Sequence, residues 1–155
     1  MNPPALGCGT DLALPTSARR AGAAFDGQPK TIAAARHFAA DFLAEAHFVS
    51  GVPASSRVIG VVELVVSELV TNACKYAPGP CVLDLELHGR FLEITVWDAD
   101  PVLPQARVAE PGRIGQHGLE IVLSLSEGYE VRREPVGKRI KVRIAIEPGD
   151  VTPTA

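Results

Sequence analysis

A change of hydrophobic period halfway along the chain limits the fold more than any other feature of the sequence. Up to Tyr76 the apolar residues recur every three or four positions, and from Cys81 onward they recur every second one. The first pattern puts one apolar stripe on a helix, and the second puts one apolar face on a strand. Ile32, Ala35, Phe38, Ala39, Phe42, Leu43 and Ala46 predict a helix from residue 31 to about 48, with Thr31 as its N-cap and Gly51-Val52-Pro53 as its stop. Val62, Val65, Val66, Leu69, Val70 and Ala73 predict a second, starting at Ser55 or Ser56 and running to Tyr76, where Pro78-Gly79-Pro80 closes it.

After the switch, Leu83, Leu85 and Leu87 alternate with Asp84, Glu86 and His88. Gly89-Arg90 makes a turn, and Leu92, Ile94 and Val96 repeat the alternation up to Trp97. Residues 99–116 then lose all periodicity, a length that suits a functional lid more than a simple connection. A third helix is expected over about 117–127, then strands over 129–133 and 139–146, with a short extra strand near 23–25 at the sheet edge. Helix, helix, hairpin, lid, helix, hairpin describes an α+β two-layer sandwich, with helices on one face of a mainly antiparallel sheet. Residues 1–20 and 148–155 read as tails around one domain of residues 21–147.

Charge narrows the partners. The formal net charge of -3 gives no general attraction to nucleic acid. The densest basic stretch, Arg132, Arg133, Lys138, Arg139, Lys141 and Arg143, alternates with apolar residues as the wet face of a strand does. Three cysteines without a CxxC pair do not make a disulfide framework. There is no signal-peptide pattern and no apolar run of membrane-spanning length, so a cytoplasmic protein is expected, with neither membrane nor direct nucleic-acid partner.

Three places carry polar residues suited to chemistry. Glu68 and Asn72 lie one turn apart on the second helix, on the same flank as Leu64 and Lys75. A carboxylate there can take a proton from a hydroxyl, and an amide oxygen can hold Mg2+; the same pair also reads as an ordinary polar helix face. Asp98, where the second strand ends, can accept a hydrogen bond from an exocyclic amine, or can simply end the strand beside Pro101. Gly115, His117, Gly118 and Leu119 open the third helix, where glycines and free amides suit phosphate and equally suit loop punctuation. The remaining histidines, His37, His47 and His88, have no metal-ligand spacing, and Ser67 and Ser124 lack a nucleophile-elbow context.

The order of these segments resembles the Bergerat (GHKL, histidine-kinase-like) ATP-binding fold. Glu68-Leu69-Val70-Thr71-Asn72-Ala73 with Lys75 matches that family's N-box; Trp97-Asp98, the lid and Gly118-Leu119-Glu120 follow in the family's order. The resemblance is nearest to the anti-sigma-factor serine kinases. It implies ATP and Mg2+ as ligands, Glu68 as general base and Asn72 as the Mg2+ ligand. It also implies Asp98 reading adenine, with Lys75, Gly115, His117, Gly118, Leu119 and Lys138 lining the nucleotide. The partners so implied are an anti-anti-sigma-like protein and a sigma factor, with a homodimer as the assembly. Two departures stand out. The family's Asp-x-Gly-x-Gly box is Asp98-Ala99-Asp100-Pro101 here. The Gly-Lys-Thr common before the last strand, whose Thr helps hold the adenine-reading Asp, is Gly137-Lys138-Arg139.

Two functions follow from these features. Intact Glu68 and Asn72 favour a serine/threonine protein kinase; the altered adenine box favours a non-catalytic regulator that sequesters a partner with or without nucleotide. A sensor histidine kinase fits less well, because His37 lies outside any acceptor motif, and a gyrase-type ATPase lacks a second domain to drive.

Overall fold

The computed structural model describes residues 19–76, 79–99 and 118–146. Strand β1 (Arg19–Phe25) leads into helices α1 (Thr31–Ser50) and α2 (Ser56–Tyr76). The hairpin of β2 (Cys81–His88) and β3 (Phe91–Asp98) follows, then α3 (Gly118–Leu125) and the hairpin of β4 (Gly128–Arg133) and β5 (Lys138–Ala145). Five strands form one sheet in the order β1-β2-β3-β5-β4, each neighbouring pair antiparallel. The architecture is α+β, a helical layer on one face of the sheet.

Alternation decides which face is covered. Leu83, Leu85 and Leu87 of β2, Leu92, Ile94 and Val96 of β3, and Ile140, Val142 and Ile144 of β5 are all buried. The helices meet them with Leu43 and Ala39 of α1 and with the α2 stripe of Val62, Val65, Val66, Leu69, Val70 and Ala73. Val122 of α3 joins the same core. Edge strand β1 is tied to α1 by Phe25 packing edge-on against Phe38, ring centroids 6.4 Å apart.

The helix ends differ in how they are satisfied. Thr31 does not act as the N-cap. Residue 30 holds that position without a side-chain bond, and the Thr31 hydroxyl donates to Asp26 Oδ1 at 3.0 Å. Asp26 also accepts from the Gln28 amide at 2.9 Å, so the turn before α1 is organised by that carboxylate. Ser55 caps α2, its Oγ accepting from the Val58 amide at 3.1 Å. Gly51 ends α1 in the left-handed conformation at φ 72°.

Candidate nucleotide site

Burying the α2 stripe fixes what its flank presents. With Leu69 and Ala73 in the core, Glu68 and Asn72 are half-buried at its edge, one turn apart. Leu64 on the same flank is 40% exposed, and Lys75 is exposed in the last turn. This edge offers a carboxylate and an amide oxygen to a ligand while their stems stay held by the helix, a donor set suited to a hard cation such as Mg2+.

The far end of β3 is built differently. Asp98 follows Leu92, Ile94 and Val96 on the helix-facing side, and the β3–β5 register sets it opposite Lys138. Both side chains are almost fully buried. The Lys138 ammonium donates to Asp98 Oδ1 at 3.0 Å and lies 2.9 Å from Oδ2, so one cation engages both carboxylate oxygens. Gly137 makes this approach possible. Its φ is 87°, and a Cβ there would collide with the Asp98 carbonyl oxygen.

This register changes how the departure at Gly137-Lys138-Arg139 is read. Arg139 pairs with Trp97 on the opposite face of the sheet and reaches Glu134 at 3.8 Å. Its presence therefore takes no support from Asp98; position 138 faces that carboxylate, and a lysine fills it.

The last turns of α2 come near the Asp98 end of the sheet. Cys81, at the start of β2, has its thiol pushed up to about 11, first by burial and then by the nearby Cys74, Asp98 and Asp26. Cys74 is on the last turns of α2, so Asp98 and the C-terminal end of that helix both border Cys81. Of the other expected nucleotide contacts, Gly115 and His117 lie outside the described residues. Gly118 and Leu119 form the first turn of α3. The structure thus brings Asp98 and Lys138 into contact and sets Glu68 and Asn72 one turn apart.

One polar cluster was not legible in the sequence. Glu86 and Glu93 face each other across the β2–β3 hairpin on the uncovered face, and His88 Nε2 lies 3.2 Å from the first and 3.5 Å from the second. These are metal-ligand types within 4.8 Å of one another. Glu93, however, is already approached by Lys141 at 3.8 Å and by Arg143 at 3.5 Å, and Arg143 also stacks 5.3 Å from the Phe91 ring centre. Those cations offset the like charges across the strands, and the cluster is an ion-pair network. Residue spacing alone did not reveal it, because it depends on which positions oppose each other across the turn.

The histidine kinase-like ATPase domain family matches residues 25–144, from the end of β1 almost to the end of β5. This chain belongs to that family, whose domains bind ATP, generally with Mg2+. No curated protein matches it. Among solved structures it is similar to the histidine kinase domain from the Erythrobacter litoralis EL346 blue-light activated histidine kinase. The identity is 26%, over 57% of this chain and 44% of that one, with a TM-score of 0.41. The chain therefore spans less than half of that protein's length, and the likeness is too loose to assign a residue or a substrate. No helix among the described residues is long and apolar enough to cross a membrane.

Proposed function

We propose that this domain is an ATP-dependent serine/threonine protein kinase of the anti-sigma-factor type, acting on an anti-anti-sigma-like partner and also able to hold a sigma factor as a homodimer. The observation that carries this reading is the Glu68–Asn72 pair, held one turn apart at the accessible edge of α2 in a chain of the ATP-binding family. Asn72 would hold Mg2+ through its amide oxygen, and the ion would supply positive charge against the phosphate charge that grows during transfer. Glu68 accepts the proton of the partner's hydroxyl as that oxygen bonds to the γ-phosphorus and the bond to the ADP oxygen breaks. Asp98 accepts from the adenine amine. The backbone amides that open α3 contact phosphate.

Melting with and without saturating Mg-ATP is the first test. Ligand at a hundred times its dissociation constant adds about 2.7 kcal/mol, a rise of roughly 5 to 10 °C for a chain of this size. The rise should need Mg2+ and should shrink in Asn72→Ala. Glu68→Ala should keep the rise and lose phosphate transfer to the partner; transfer at the wild-type rate by that variant removes Glu68 as the base.

The buried Asp98–Lys138 pair favours a second reading, a regulator that sequesters its partner without catalysis. In its nucleotide-free form that reading gives no melting rise and partner binding indifferent to ATP; in its nucleotide-holding form it gives the rise without phosphate transfer.

A further inference from the structure

We propose that Lys138 sets the nucleotide affinity of this domain by occupying the base-reading carboxylate from within. The inference rests on the reading that Asp98 accepts from the adenine amine. A lysine almost wholly withdrawn from solvent is rare unless it is paired, and Lys138 pairs with the one carboxylate that ends β3 on the covered face. Its ammonium is close to both oxygens, at 3.0 and 2.9 Å. Gly137, whose missing Cβ would otherwise meet the Asp98 carbonyl oxygen, lets the start of β5 lie close against the end of β3 and so brings the Lys138 stem to the carboxylate. An amine approaching Asp98 must share lone pairs already engaged by a cation, and a carboxylate so neutralised is a weaker acceptor than a free one.

Removing the cation should therefore tighten adenine binding, although ATP is an anion. This sign distinguishes the proposal from a general charge effect, since loss of a nearby positive charge otherwise weakens binding of a triphosphate. The gain should also be the same for ADP as for ATP, because it arises at the base, and absent for inorganic triphosphate.

The test is titration calorimetry of Mg-ATP, Mg-ADP and inorganic triphosphate into the full chain as wild type, as Asp98→Asn, and carrying Lys138→Thr or Lys138→Gln, each alone and with Asp98→Asn. Lys138→Gln keeps the stem and an N–H donor for Asp98, so it carries the measurement if the threonine variant does not melt cooperatively. The expected result is ATP and ADP binding about tenfold tighter than wild type, the worth of one stronger hydrogen bond to a charged acceptor. Adding Asp98→Asn should abolish that gain. Equal or weaker ATP binding by the lysine variants overturns the proposal. If Asp98→Asn still weakens ATP binding in the wild-type background, the adenine reading survives that failure. Indifference to Asp98→Asn in every background removes the adenine reading and the inference with it. Absence of ATP binding in the wild type and both lysine variants also overturns the proposal, since the ion pair is then not what limits affinity.

Discussion

At the scale of single residues, buried polar groups meet opposite fates. Lys138 and Asp98 satisfy each other across the sheet, whereas the Tyr129 hydroxyl is buried without a hydrogen-bond partner among the described residues. An orphaned hydroxyl forfeits the hydrogen bonds it made to water. Tyr129→Phe should accordingly stabilise the domain by about 1 kcal/mol, a rise of roughly 2 to 4 °C in Tm. Burial pushes the Tyr129 phenol up to about 12, above its ordinary value of 10. The folded state thus favours the protonated form; that contribution is complete below pH 10 and drains away as the pH rises toward 12. The phenylalanine variant lacks this loss, so its advantage should widen over that window in thermal melts. A variant that melts below wild type at pH 7 would mean the hydroxyl has a partner in solution, such as a trapped water.

At the scale of elements, the hydrophobic period located α1, α2, β2, β3 and β5 to within about two residues because each buries a regular apolar face, and it placed α3 and β4 as closely although they bury less. β1 was read only as residues 23–25, yet it runs from Arg19 to Phe25. Its inward positions Ala21 and Ala23 carry too little apolar surface to signal alternation, and pairing along the whole of β2 defines it instead. The candidate site divides along the same line. Glu68 and Asn72 were legible because four residues make one helical turn. The Asp98–Lys138 contact was not, because the strand was read from residue 139, and whether 138 joins it opposite Asp98 depends on how the turn before β5 closes. The start of α1 allows a sharper test. Hydrogen bonds from the Gln28 amide and then the Thr31 hydroxyl lower the Asp26 pKa. The charged form is the one folding favours, so its contribution is present above the ordinary carboxylate pKa and lost as the pH falls through the lowered folded value. Asp26→Ala should therefore melt below wild type at pH 7, and the gap should close as the solution is acidified past the carboxylate range. A gap that persists in acid would trace the effect to something other than the carboxylate charge.

At the scale of the whole molecule, stability should follow the order of strands in the sheet and not their order in the chain. β3 is bonded on both sides, to β2 and to β5, and its inward face is sealed by Leu92, Ile94 and Val96 at 1% exposure or less. β1 and β4 are bonded on one side only among the described residues, and β1 contributes mainly alanines and Phe25 to the core. Amides exposed only by global opening exchange slowest, and those at edges exchange through smaller local openings. Deuterium exchange followed residue by residue should thus find the strongest protection in β3 and the facing amides of β2 and β5, and the weakest in β1 and β4. Because a bare edge strand is a ready template for a second chain, the alternative outcome is informative. If β1 proves as protected as β3 and that protection falls on dilution, its outer edge is covered in solution by another copy of this chain, and the homodimer forms through that strand. Protection of β1 that does not change on dilution would place the cover within the chain itself.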